Sequence, residues 1–424
     1  MDGAEEHAPD AHSAVRAHRL TPMRGRDPYE QHRVSTPLEL LFDLTFTVAF
    51  GVGASQLAHM LAAGHVAAGI TAFVFATFAI CWAWINFTWF ASAYDTDDWV
   101  FRLMTMVEMV GVLILALGLP AFYASIEHGH HVDNAVLVAG YVVMRIALVG
   151  QWLRAARQDP ARRAAAMTYV TNVSLVQLGW IGTVFLRTSV PVTLGIWAVL
   201  IAIELTGPGL AERRCGGTPW HAHHIAERYS LLAIIALGEG VVGTVATLSA
   251  TIGEQGWSAD AVALAVAGTA LTFGMWWVYF MVPAADVLHA HRERSFWFGY
   301  LHMPIFGAIV ATGAGLDFAA LTIQGHTALG PVGTVWAVVI PLGMYIALIY
   351  LLYALMLRSV DGLHLLLVVL TAAVLAATVV LAQVGVPMSV CLLVASLAPM
   401  VSVAGFEIIG HRHAAAAVEA AAGN

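Results

Sequence analysis

Apolar runs of about twenty residues follow one another from Leu38 to Ile409, broken only by short polar loops. A run of that length crosses the ~30 Å hydrocarbon core of a bilayer as a helix, and in lipid each backbone polar group must be satisfied within its own segment. The pattern therefore predicts an all-α integral membrane fold. Composition agrees, with 59% apolar and 11% charged residues over 424 positions and a mean hydropathy of +0.77. Soluble domains carry about 25% charged residues. Twelve spans are expected, at about Leu38–Leu61, Gly69–Trp89, Val100–Tyr123, Asn134–Leu153, Tyr169–Leu186, Val190–Leu205, Tyr229–Ala250, Asp260–Val282, Phe296–Ala314, Val332–Tyr353, Leu363–Ala382 and Val386–Ile409. The fifth and sixth are short, with only "RTSV" between them.

The basic residues fix the expected orientation. All 19 are arginine. With a cytoplasmic N-terminus, the inner side receives Arg16, Arg19, Arg24, Arg26 and Arg33, then Arg102, Arg154, Arg157, Arg162 and Arg163. Arg213, Arg214, Arg228, Arg292, Arg294, Arg358 and Arg412 follow, so that 17 of the 19 lie inside. Only Arg187 falls in an outer loop, and Arg145 lies within a span. Positive-inside bias of this strength predicts both termini in the cytoplasm, and one miscounted helix would destroy it.

Three distant cysteines, Cys81, Cys215 and Cys391, suggest neither a zinc ribbon nor a redox pair. No cleavable signal segment is expected at the N-terminus. The expected organisation is a disordered cytoplasmic tail over residues 1–34, two six-helix halves at 35–216 and 217–413, and a C-terminal tail at 414–424. The halves resemble each other. "LELLFDLTFTVAFGVGA" opens span one and "AERYSLLAIIALGEGVV" opens span seven, and aligning Glu39 with Glu227 gives an offset of 188. "WINF" and "WVYF" match in spans two and eight, as do Gly111 and Gly307 in spans three and nine. Six helices per half predict parallel repeats about an axis along the membrane normal.

Ionisable residues inside spans are the functional candidates, because each costs roughly 2.5–3.5 kcal/mol to insert. Thr36, Pro37 and Glu39 read as a capping box that starts the first helix, which gives Glu39 a structural explanation. Asp43 lies about 6 Å deeper on the same face and cannot serve that cap. It needs a partner or a proton, as an ion pair or as a functional acid. Glu239, between Gly238 and Gly240, falls near mid-membrane, where glycines allow either close helix approach or local unwinding. Arg145 needs a counter-ion, with Glu108, Asp43, Glu204 and Glu239 as candidates. Glu227 and Arg228 sit at the inner end of span seven, and Arg228 is placed to pair with Asp43 or Glu39 if the repeat holds. The candidate ion, proton or substrate residues are thus Asp43, Glu239, Glu39, Glu227, Arg145 and Glu108. Asn86, Asn172, Gln151, Gln177 and His302 are read mainly as contacts between helices.

The histidine clusters "HGHH" (His128, His130 and His131) and "WHAHHIAER" (His221, His223 and His224) lack a catalytic metal spacing, and no metal site is expected. No P-loop, nucleophile elbow or dinucleotide fingerprint occurs in a usable context, so neither cofactor nor enzyme activity is expected. Basic residues are dispersed membrane flanks, which argues against nucleic acid as a partner. Bilayer lipid and a small ion or solute are the expected partners, with self-association as a further expectation.

"TPLELLFDLTF" (Thr36 to Phe46), "HIAERYSLLAIIALGEGVV" (His224 to Val242) and "WINFTWFASAYDTDD" (Trp84 to Asp98) together resemble the bacterial low-temperature-requirement A family. The resemblance runs from Arg33 to the last helix. Thr45 and Thr47 stand where the family has apolar residues, and Gly240 where it often has serine. It implies a multi-pass protein of the bacterial inner membrane, in a family named for a growth requirement in the cold. From the residues, the leading expectation is a proton- or ion-coupled secondary transporter. An ion channel of two six-helix repeats and a non-transport membrane factor are the alternatives. A polar cavity reaching Asp43 or Glu239 would favour transport; sealed ion pairs at both would favour the non-transport reading.

Overall fold

The computed structural model describes residues 20–30, 33–129, 131–358 and 362–410. The chain begins its bundle where the capping box requires. Thr36 Oγ1 accepts from the Glu39 amide at 3.3 Å, and the Thr36 amide donates to Glu39 Oε2 at 2.8 Å. Pro37 then opens α1, Pro37–Ala62. The helices α2 (Val66–Tyr94), α3 (Trp99–His128) and α4 (Ala135–Gln158) follow, then a 3₁₀ turn, α5 (Arg163–Phe185) and α6 (Val190–Arg214). The second half holds α7 (Ala222–Gln255), α8 (Ala259–Phe280), the short α9 (Ala284–Ala290), α10 (Ser295–Ile323), α11 (Gly330–Leu357), α12 (Gly362–Gln383) and α13 (Met388–Gly405).

Twelve of these helices are long, and among the described residues 11 are both long and apolar enough to cross a membrane. The exception is α5, whose Thr168, Thr171, Asn172, Ser174 and Gln177 lower its hydropathy. The chain is a multi-pass membrane protein. Its outward faces carry leucine, valine and isoleucine, as lipid contact demands.

The same neighbours recur in each half. The first helix packs on the second and third, the third on the fourth, the fourth on the fifth and the fifth on the sixth. The halves differ at their last helices: α8 and α13 pack extensively, whereas α2 meets α6 through the rings of Phe75 and Trp197. Between the halves, α1 and α7 cross with His224 facing Glu39 and Arg228 facing Asp43, and both pairs are separated by 185 residues. That is also the separation of the two helix starts, Pro37 and Ala222, and it differs from the 188 read by aligning Glu39 with Glu227. α10 packs against both α1 and α7, so these three helices form the centre.

Residues 20–34 begin on the side called here the tail face. They were expected to be disordered, and the described part is packed instead. Met23 is fully buried and its amide donates to Gln158 Oε1 at 2.6 Å. The Gly25 amide donates to Asp159 and the Arg26 amide to Ala93 O. The Glu30 carbonyl bonds His221 Nε2 at 2.9 Å. The segment thus laces the loops after α2, α4 and α6. Polar composition suggested disorder, but the loops offer carboxylates and carbonyls that satisfy its backbone. Residues 1–19 and the expected C-terminal tail at 414–424 lie outside the described residues.

Helix approach depends on small residues. A Cβ on Gly140 would lie 2.4 Å from the Leu115 amide nitrogen, so α3 and α4 touch backbone to backbone there. Gly140→Ala is expected to lower stability by about 1–3 kcal/mol. Gly182→Ala, with open space around it, is expected to leave thermal unfolding in detergent unchanged or slightly raised.

Candidate functional site

The candidate residues fall into three places. At the tail-face end of the α1–α7 crossing, Arg228 is fully buried. Its Nε donates to Asp43 Oδ2 at 3.1 Å and its Nη2 to Asp43 Oδ1 at 2.5 Å. Arg228 Nη1 lies 2.9 Å from Glu39 Oε1, close enough to attract though not aligned as a hydrogen bond. Trp84 of α2 donates its indole N–H to Asp43 Oδ1 at 2.6 Å. His224 Nε2 lies 3.2 Å from Glu39 Oε1. Glu39 is therefore both the cap of α1 and a member of the ion cluster. Glu227 stands at the rim, accepting from the Ser35 amide at 3.3 Å.

Arg33, read from sequence as a membrane flank, covers this cluster. Its Nη2 lies 3.5 Å from Asp95 Oδ2 and 3.8 Å from Glu39 Oε1, and it donates to Ala91 O. Among the described residues this cluster is sealed, with Glu39, Asp43, His224 and Arg228 at 0% exposure and Arg33 at 7%. Asp95 lies in the loop after α2. Burial, helped by the charge of Glu39 and opposed by Arg33, pushes its carboxyl up to about 6.

Arg145 belongs to a second cluster. Its Nη2 donates to both oxygens of Glu204 at 3.4 Å, and Trp180 donates to Glu204 Oε1 at 3.2 Å. Glu204 is thus the counter-ion among the four candidates. Glu108 accepts from Gln151 Nε2 at 3.3 Å nearby. All of these groups sit between α3, α4, α5 and α6, apart from the first cluster.

Glu239 stands alone. It is near the middle of α7, which stays helical through Gly238 and Gly240, so of the two alternatives local unwinding does not occur. Close approach does: a Cβ on Gly240 would lie 2.6 Å from Thr272 Oγ1 of α8, and glycines of two other helices approach Glu239 itself. Hypothetical Cβ atoms on Gly51 of α1 and Gly313 of α10 would lie 3.3 Å from Glu239 Oε1 and 2.8 Å from its Cβ. Among the described residues no cation or hydrogen-bond donor reaches its carboxylate; the neighbouring charge is Asp317, one turn beyond Gly313. Asp317 lines a crevice of about 660 Å³ between α1, α7 and α10, with Ser55, His59, Ser249 and Glu254. The crevice opens on the face opposite the tail. Glu239 lies about 6 Å beneath Asp317 and keeps 5% exposure. Roughly 16 Å of helix separates it from Arg228.

Asp317 and His59 were not singled out from sequence. The available signal was an acid within an apolar span, in "GAGLDFAA". The histidine clusters have other uses. His221 caps α7 by accepting from the His224 amide at 3.2 Å, and His128 Nδ1 bonds Ala124 O. Among the described residues no three His, Cys, Asp or Glu side chains are placed to hold a metal.

Removing one partner from a buried ion pair strands the other, which costs about 3–5 kcal/mol. Arg228→Gln is expected to lose that much in detergent unfolding, while Arg102→Gln, at the exposed pair with Asp97, is expected to lose little. Asp95 binds its proton more tightly folded than unfolded, so its contribution to stability falls as pH rises from about 4 to 6. Acidifying from pH 7 to pH 5 is expected to stabilise the wild type by about 1 kcal/mol more than Asp95→Asn, read as the difference between their melting curves.

Residues 34–399 match the family described as Bacterial low temperature requirement A protein. The uncharacterized protein RA0937 of Rhizobium meliloti (strain 1021) is 28% identical over 342 residues, covering 72% of this chain and 77% of that protein. No solved structure matches. With most of its length matched from the capping box of α1 to α13, the chain belongs to the bacterial low temperature requirement A protein family.

Proposed function

We propose that this protein is a proton- or cation-coupled secondary transporter of the bacterial inner membrane. It is built of two parallel six-helix repeats with both termini cytoplasmic. The observation that carries this reading is Glu239, a mid-helix carboxylate without a partner among the described residues, lying one turn below a wide crevice that opens away from the tail face. Structural carboxylates inside membranes are paired; an unpaired one near water is a site for a proton or a cation. The ion cluster of Glu39, Asp43 and Arg228 closes the opposite side. Access from one face and closure at the other is one half of an alternating-access cycle. In the other half, Arg228 parts from Asp43 and Glu39, and the crevice closes over Asp317. Protonation of Glu239 biases that equilibrium because the two states solvate its charge differently.

The closed ion cluster disfavours an open channel. The sealed Asp43 would fit a membrane factor without transport, but Glu239 would not. The repeat reading is supported by the recurring neighbours and by the facing pairs of α1 and α7. No enzyme step is part of the proposal.

The test is flux in proteoliposomes over a panel of inorganic cations, organic acids and amines, with an imposed pH gradient. Saturable, pH-dependent exchange is expected. Glu239→Gln is expected to abolish coupling to the gradient, with at least a tenfold loss of gradient-driven uptake. Asp317→Asn is expected to shift its pH dependence. Current without saturation would indicate a channel. Cold growth fully supported by Glu239→Gln, with no flux in the wild type, would indicate the non-transport factor.

A further inference from the structure

A second cavity lies at the tail-face end of α2, α4, α5, α6 and α10. It measures about 40 Å³ and its wall is built from Trp82, Trp89, Trp152, Tyr169, Trp220 and Tyr300. Ile85, Pro208, Ser295 and Gly299 also line it, and Asn86 and Glu212 bring an amide and a carboxylate to it. Asn86 donates its Nδ2 to Trp82 O at 2.7 Å, within its own helix. Glu212 is tied by neutral donors alone. Its Oε1 accepts from Tyr169 Oη at 3.0 Å and Thr218 Oγ1 at 2.7 Å, and its Oε2 from the Thr218 amide at 3.0 Å. Among the described residues no basic group forms an ion pair with it. The wall is partly open, because Trp89, Glu212, Thr218 and Tyr300 are only half-buried.

We propose that this box binds an alkylated ammonium group. Aromatic faces attract a cation through the ring quadrupole, most strongly when it sheds its water. Trp220 already holds one, since Arg292 Cζ stacks 3.7 Å from its ring centroid without joining the cavity wall. Glu212 supplies the balancing charge. A metal cation would need several oxygens converging on it, whereas Tyr169 and Thr218 direct their hydroxyls to Glu212 and Tyr300 directs its hydroxyl to Leu205 O. A primary ammonium would leave N–H donors facing ring carbon, whereas a methylated one has none to satisfy. The space holds roughly three waters or one such head group. The head group is either that of a free solute from the tail-face compartment or that of a lipid. This site does not depend on the transport proposal, because its readout is binding.

The test is a titration of tryptophan fluorescence of the full chain in detergent with tetramethylammonium chloride, with ammonium and sodium chlorides alongside. Saturable binding is expected, at least tenfold tighter for tetramethylammonium than for ammonium. Trp89→Phe is expected to keep it, and Trp89→Leu and Glu212→Gln to weaken it at least tenfold. Should those variants fail to fold, the wild-type comparison of the three salts still decides. Repeating the titration in nanodiscs separates the sources. Binding of choline in phosphatidylglycerol discs identifies a free solute. A signal already saturated in phosphatidylcholine discs, with choline adding nothing, identifies a lipid head group. Equal responses to tetramethylammonium, ammonium and sodium would overturn the proposal.

Discussion

A guanidinium buried where no water reaches governs the centre of this molecule. Arg228 cannot release its proton, so α1 has to bring acids to it. Asp43 and Glu39 do so from successive turns, and both are held by further donors, Trp84 on one and the Thr36 amide and His224 on the other. The crossing of α1 and α7 is thereby set by charge as well as by packing. A buried pair of this kind is costly to break one partner at a time, so it ties α1 to α7. The tail adds to this tie, since Arg33 lies across Glu39 and Asp95.

The polar groups of the interior differ in how completely they are satisfied, and that difference separates structure from proposed function. Arg145 and Glu204 neutralise each other inside the first half, with Trp180 and Tyr141 around them. That cluster resembles a rivet holding α4, α5 and α6 together. Glu239 has glycines of two neighbouring helices against it, a second acid nearby and water-sized space a turn away. Among the described residues no cation balances its charge, unlike that of Glu204 or Asp43.

Much of the fold was legible because the bilayer imposes it. Span length and the capping box at Thr36 both follow from the cost of leaving backbone polar groups unsatisfied, and helices form where that cost points. α5 is the exception: its helix exists, but Thr168 and Thr171 return their hydroxyls to carbonyls of their own helix and Gln177 is buried, so composition under-reports it. The tail over residues 20–34 was misread for a related reason. Its partners are carboxylates and carbonyls on loops far away in sequence, such as Asp159 and Ala93. Among site residues, Asp43 and Glu239 stood out because an acid in oil is expensive. Which cation faces Asp43, and that Asp317 sits above Glu239, depend on how α1, α7 and α10 meet. No local pattern encodes that meeting; the repeat came nearest, by placing the starts of α1 and α7 together.

The most direct measurement of the central claim is sidedness of access. With Cys81, Cys215 and Cys391 replaced, single cysteines at Ser249, Glu239 and Leu232, the last fully buried one turn from Arg228, are exposed in oriented vesicles to a membrane-impermeant thiosulfonate, added from one face at a time. Reaction at 249 and 239 only from the face opposite the tail, with 232 protected from both, is the required result. Labelling of 239 from the tail face, or its protection from both faces while 249 reacts, would contradict a carboxylate open to one side and sealed by Arg228 on the other.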